Sequence, residues 1–254
     1  MNQKATSPYL DNPGVQILAH RGLESAFVPE NTIKAFADAL AAGADVIETD
    51  IQVSKDNVPL IFHDETLLRM AGIDSAISDF DFAELEQVDI GHGKRVATLE
   101  QALLAFPSAR FNLDIKTDSG VLPTVAVIEK LQAHDRVLFS SFSEKRRLRA
   151  ISLVSARVRT SAGVSKVLRL FFASLLGSQK LFDLLAKGSD ALQIPTHRSF
   201  IRLDSPRFIR FCHRAGLEMH YWTINDSKEM KRLVALGADG IVTDHADVAI
   251  ATLR

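Results

Sequence analysis

The feature that most constrains this chain is an alternation. Short β-rich runs are separated by helical patterns, and the unit recurs eight times: VQILAH (15–20), DVIETDI (45–51), RFNLDIK (110–116), VLFSSF (137–142), RVRTSAG (157–163), DALQIP (190–195), EMHYWTI (218–224) and DGIVTD (239–244). Between the runs, Ile33, Phe36, Ala37 and Leu40 share a helical face that Gly43 ends. Leu122, Val125, Ala126 and Glu129 keep a similar rhythm, and Met230, Leu233 and Val234 repeat it before Gly237. Strands alternating with helices of this length form parallel βαβ units. Eight units within 254 residues predict a single α/β domain, residues 1–254, folded as a (β/α)8 barrel. An open doubly wound sheet is the alternative; it calls for a phosphate-binding glycine fingerprint, and none is present.

One connection breaks the pattern. Only the turn KDN separates IETDIQVS from VPLIFHD, too little chain for a parallel crossover, so these segments are expected to form an antiparallel hairpin. With the turn centred on Asp56 and Asn57, His63 falls opposite Asp50, on the same face. Residues 65–98 then make a small insertion before a helix at 99–106.

Bulk properties exclude some functions. A formal net charge of −1 lacks the basic excess of a nucleic-acid binder. The one cysteine, Cys212, rules out an internal disulfide and fits a cytoplasmic setting. It shares a helical face with Phe208, Phe211 and Ala215, as a core residue does. The N-terminal stretch MNQKATSPYLDNPG has no apolar run of the signal-peptide kind. Nothing approaches the ~20 apolar residues of a bilayer span. The most apolar helical segment, 164–186, reads as an amphipathic barrel helix, with peripheral contact to a membrane surface as the alternative. Oligomeric state is left open.

Active sites of such barrels form at the C-terminal ends of the strands, so the polar residues there carry the chemistry. The first strand ends in His20-Arg21, the second holds Glu48 and Asp50, the third Asp114 and Lys116, and the hairpin adds His63-Asp64. Glu48 and Asp50 are two apart and point to one face. Burying two carboxylates together is costly without a counter-charge. A divalent cation offsets that cost, with Asp114 as a third oxygen donor; salt bridges to Arg21 and Lys116 are the alternative. An all-carboxylate set favours Mg²⁺ or Ca²⁺ over zinc, with Mn²⁺ also compatible. An ordinary imidazole gains and loses its proton near neutrality, so His20 and His63 suit an acid–base pair. Arg21 and Lys116 supply positive charge for a phosphate. PENT (29–32) reads either as ordinary helix entry, with Glu30 and Asn31 meeting free N–H groups, or with Glu30 hydrogen-bonding across the site.

The ordered set HRG (20–22), PENT followed by AF (29–36), GADVIETDIQVSKD (43–56), HDETLLR (63–69), NLDIK (112–116), SSF (140–142), WTIND (222–226) and GADGIVTD (237–244) resembles the glycerophosphodiester phosphodiesterase family over nearly the whole chain. The resemblance implies a (β/α)8 barrel that hydrolyses a small glycerophosphodiester to glycerol 3-phosphate and an alcohol. It implies His20 and His63 as acid and base, Arg21 and Lys116 at the phosphate, and Glu48, Asp50 and Asp114 as metal ligands. Trp222 would lie against the glycerol, an aromatic wall beside CH₂ groups. The chain departs from the family at Asp114, where glutamate is usual. The shorter side chain is expected to reach the cation directly or through water. The insertion at 65–98 is short beside many members, which predicts an open pocket. Two other readings compete: a lysophospholipase D-like hydrolase of lipid phosphodiesters, favoured by the apolar segment 164–186, and a non-catalytic phosphodiester-binding barrel.

Overall fold

The computed structural model describes Tyr9, residues 14–199 and residues 201–254. The N-terminal stretch read for a leader therefore lies outside the described residues, apart from Tyr9 and Gly14. In chain order the strands are β1 (Gln16–His20), β2 (Val46–Val53), β3 (Pro59–Ile61), β4 (Ala97–Thr98), β5 (Arg110–Ile115), β6 (Val137–Ser140), β7 (Arg159–Thr160), β8 (Ala191–Ile194), β9 (His197–Arg198), β10 (Ile201–Arg202), β11 (Glu218–Tyr221) and β12 (Gly240–Thr243). The helices are α1 (Ile33–Ala42), α2 (Leu68–Ala71), α3 (Phe82–Leu85), α4 (Leu99–Ala105), α5 (Val121–Leu131), α6 (Glu144–Leu153), α7 (Val164–Leu176), α8 (Gln179–Ala186), α9 (Pro206–Arg214), α10 (Ser227–Leu236) and α11 (Ala246–Leu253).

All eight expected strands form, and they pair in parallel in the order β7-β6-β5-β2-β1-β12-β11-β8. The ends meet at a parallel bridge between Ser161 and Ala191, backed by the Ala162 N–H donating to the Ala191 carbonyl. The result is a nearly closed (β/α)8 barrel. Along each strand the period of two separates two layers. Ile17, Ala19, Ile47, Ile51, Phe111 and Leu113 face outward into one large core shared with the helices. Leu18, Val46, Leu138, Ala191 and Val242 face inward and pack around Tyr9. All eight residues of β2 are buried, as a strand covered on both faces requires.

The antiparallel hairpin after β2 is present, but its register differs from the expected one. Ile51 pairs with Ile61 and Gln52 with Leu60, and the Phe62 N–H donates to the Asp50 carbonyl. Phe62, not His63, therefore stands opposite Asp50. The turn holds three residues rather than two: Asn57 adopts φ 65°, the left-handed residue that closes a three-residue hairpin loop. The added residue shifts every pair by one. β3 ends at Ile61, and the chain leaves the strand before His63.

The insertion has a core of its own, with Leu60, Phe62, Leu67, Ile77, Leu85, Ile90 and Val96 buried together. It returns to the barrel when β4 pairs antiparallel with β3. The segment read as one helix over 164–186 is two, because Gly177 ends α7 at φ 77°, a conformation open to glycine at little cost. The antiparallel ribbon of β9 and β10 was not expected from sequence. Among the described residues no helix is long and apolar enough to cross a membrane.

Candidate active site

The strand register lays the polar strand ends out in two rows. His20 lies beside Glu48 and Glu48 beside Asn112; one step further along the strands, Asp50 lies beside Asp114 and Asp114 beside Ser140. Above these rows opens a cavity of about 440 Å³. All eight residues singled out from sequence line it: His20, Arg21, Glu48, Asp50, His63, Asp114, Lys116 and Trp222.

His20 and His63 are braced alike. His20 Nδ1 lies 2.5 Å from Asp244 Oδ1, and Asp244 also accepts from Asn225 Nδ2 at 2.7 Å. His63 Nδ1 lies 2.6 Å from Asp64 Oδ1. An ionised carboxylate only accepts, so Nδ1–H is the donor in each pair and Nε2 is left for the cavity. Burial acts to lower the pKa of His20, but the Asp244 hydrogen bond and the Glu48 charge outweigh it, and the net shift is upward. Asp64 is held at about 2, chiefly by its hydrogen bond from Arg69.

The acids sit in an unequal field. Burial, then the Asp50 charge, pushes the Glu48 carboxyl up to about 8. Burial also raises Asp114, against the pull of Lys116. Asp50 is equally buried, yet the Lys116 and Arg21 charges hold it below the usual carboxylate range. Lys116 Nζ stands 2.7 Å from Asp50 Oδ1 and 2.6 Å from Asp114 Oδ2, and Arg21 Nε stands 3.2 Å from Asp50 Oδ2. Among the described residues no three carboxylates, imidazoles or thiols are gathered as an ion site as they stand, and the Lys116 ammonium fills the space between two of the expected ligands. The donor chemistry nonetheless fits a hard cation at Glu48 and Asp114, each of which leaves one buried carboxylate oxygen without a hydrogen-bond partner.

The short motifs have distinct local reasons. In HRG, Arg21 adopts φ 60° and Gly22 φ 91°, and a Cβ on Gly22 would stand 2.8 Å from the Ala35 backbone. The glycine thus lets α1 close on the end of β1. In PENT the helix cap is Thr32, whose side chain accepts from the Ala35 N–H. Asn31 instead donates to Asp50 at 3.2 Å and accepts from Thr49 at 2.7 Å. Glu30 reaches across the site, taking Arg21 Nη1 at 3.1 Å and Arg69 Nη2 at 2.6 Å. Neither residue serves the free helix N–H groups.

Four participants were not singled out from sequence. Asp244 and Asn225 brace His20. Arg69 binds both Glu30 and Asp64. Phe142 lies 5.9 Å from Trp222, ring to ring, and 5.7 Å from Lys116 Nζ, so the aromatic wall has two members. Asp244 ends the eighth strand run, where the strand-end rule applied to the first three runs also points. Arg69 carries no such signal. His220 is fully buried inside the barrel between Gln193 and Glu218.

The glycerophosphoryl diester phosphodiesterase family model matches residues 20–248. The chain belongs to this family. A relative from Mycobacterium tuberculosis named probable glycerophosphodiester phosphodiesterase 2 is 37% identical over 243 residues, 96% of this chain and 92% of its own. A human lysophospholipase D is 25% identical over 271 residues, 90% of this chain and 82% of its own. Among solved structures, an Oleispira antarctica phosphodiesterase in complex with the product sn-glycerol-3-phosphate is 25% identical, with TM-score 0.78, covering 93% of this chain and 96% of that one. As a family member the chain is a phosphoric diester hydrolase, and its departure at Asp114 leaves the acid row intact.

Proposed function

We propose that this protein hydrolyses glycerophosphodiesters to sn-glycerol 3-phosphate and an alcohol, using His20 and His63 as its proton-transfer groups and a divalent cation, Mg²⁺ or Ca²⁺ with Mn²⁺ as an alternative. The observation that carries the reading is the pair of carboxylate-braced imidazoles facing one cavity with Arg21, Lys116 and three acids. The product bound by the Oleispira relative supports the substrate class.

Arg21, steadied by Glu30, and Lys116 bind the phosphate oxygens. One imidazole takes a proton from the nucleophile through Nε2, and the other gives a proton to the leaving alcohol. The nucleophile is either water or the neighbouring glycerol hydroxyl, the second route passing through a cyclic phosphate. Trp222 and Phe142 hold the CH₂ groups of the substrate. Glu48, Asp50 and Asp114 would hold the cation, which when bound neutralises phosphate charge and stabilises the charge that builds in the transition state. The single cysteine, buried and unpaired, supports a cytoplasmic setting.

The test is a panel of glycerophosphodiesters assayed with Mg²⁺, Ca²⁺, Mn²⁺ or EDTA. Release of glycerol 3-phosphate that EDTA abolishes and a metal restores is the expected result; no turnover of any diester with any metal would leave a binding barrel. A lysophospholipase D activity is the second reading. The cavity wall of Val164, Val167, Leu168, Ile194 and Leu203 is apolar enough to take an alkyl chain, and the human relative carries that name. Comparing glycerophosphocholine with a lysophospholipid separates the two.

A further inference from the structure

The helices after β7 build a surface that the chemistry does not require. Ser161 pairs with Ala191, the first residue of β8, so α7 begins beside the start of that strand. Lys166, near the beginning of α7, donates to the carbonyl of Lys187, just before β8. The other end of α7 lies beyond β8: the Ser174 and Leu175 carbonyls accept from Arg207 in the first turn of α9. α7 therefore climbs along the cavity wall, which its residues Val164, Val167 and Leu168 line, and α8 comes back down. The tip between them stands at the end of the barrel where the cavity opens.

That tip is apolar where a water-facing helix is ordinarily polar. Phe172, Leu175 and Leu176 on α7 and Leu181 and Leu184 on α8 are all exposed, Leu176 to 76%. Phe172 and Leu176 are four apart and share a face with Leu175 between them. Phe27, in the loop after β1, and Phe142, just past β6, are exposed at the same end. The segment that carries the tip is also basic. Residues 164–210 hold eight Lys and Arg against three Asp, leaving 22 basic against 28 acidic residues elsewhere. Arg169, Lys180 and Arg198 of this stretch are exposed.

We infer that the α7–α8 tip docks the cavity mouth on an anionic phospholipid surface. Phe172, Leu175 and Leu176 enter the boundary between headgroups and acyl chains, and Arg169, Lys180 and Arg198 meet lipid phosphates. Basic residues beside exposed Phe and Leu are the signature of a helix that lies in such an interface. A second copy of the chain fits less well, because a two-fold contact would set this basic segment against itself.

The test is co-sedimentation with vesicles of phosphatidylcholine, with or without about a third phosphatidylglycerol, at low and high salt. The protein is expected to sediment with the anionic vesicles and to be released by salt. Leu175→Ser with Leu176→Ser, and separately Arg169→Glu with Lys180→Glu, should each weaken binding at least ~10-fold while melting temperature and glycerophosphocholine turnover stay unchanged. Failure of the wild type to bind anionic vesicles, or unchanged binding by both variants, overturns the inference. So does a wild-type dimer that the serine variant converts to monomer, which would give the face to a second copy. Vesicle binding is read without catalysis, so the result stands apart from the proposed activity.

Discussion

His20 and His63 come from distant parts of the chain yet are held in the same way, each with Nδ1 against a carboxylate, 2.5 Å to Asp244 and 2.6 Å to Asp64. The two differ in what stands behind the carboxylate. Asp244 is bound by the neutral Asn225, and Asp64 by the Arg69 guanidinium. The two imidazoles thus share one geometry but have a neutral amide behind one carboxylate and a guanidinium behind the other.

Replacing either histidine by alanine should lower turnover by about 10²- to 10⁴-fold with little change in melting temperature, since neither ring belongs to the packed core. Steady-state kinetics beside a thermal melt check this. Wild-type turnover by a folded His63→Ala protein would remove His63 from the chemistry.

The pH profile should respond to Asp244. Its hydrogen bond and the Glu48 charge keep His20 protonated to higher pH than an ordinary imidazole, against burial, which acts the other way. Asp244→Asn removes the largest raising influence and leaves burial in place. The limb of the pH–rate profile that belongs to His20 should therefore move to lower pH. A profile that stays in place would detach His20 from that limb.

Arg69 is expected to act through the residues it positions. It spans from Glu30, which holds Arg21, to Asp64, which holds His63. Arg69→Met should lower kcat/KM by roughly 10- to 100-fold, with Arg69→Lys recovering only part because it loses the fork that bonds two carboxylates. The half-exposed position predicts a small stability change, so a large fall in melting temperature would point to a structural role instead.

Stability should hinge on Glu144. The Arg147 side chain is fully buried, and Glu144 accepts from it and from the Gly163 N–H. Glu144→Ala strands a buried guanidinium and should cost about 3–5 kcal/mol, read by chemical denaturation. Burial alone would raise the Glu144 carboxyl, but Arg147 and Gly163 hold it below its ordinary value. A lowered folded-state pKa contributes stability that is complete above the ordinary value of 4.5 and is lost as pH falls below it. The difference between wild type and Glu144→Ala should therefore shrink in acid.

The barrel and most of its site were legible because both follow local rules. The period of two along each run placed Glu48 with Asp50 and Asp114 with Lys116, and strand-end position placed His20 and Arg21. The hairpin was legible from the shortness of KDN, but its register was not. One residue, Asn57, entering the left-handed region moves every cross-strand partner, and the sequence does not say whether the turn holds two residues or three.

The amino-acid sequence by itself determined the alternation that forces a parallel barrel, the face on which each strand-end carboxylate lies, and the charge excess between residues 164 and 210. Those depend on the geometry of one strand or helix and on composition. Only the tertiary structure decided that Asp244 braces His20 across 224 residues, that Arg69 joins Glu30 to Asp64, that Lys116 stands between Asp50 and Asp114, and that α7 turns its leucines outward at the cavity mouth. Such contacts are set by how barrel closure and the insertion bring distant segments together, and no periodicity along the chain encodes them.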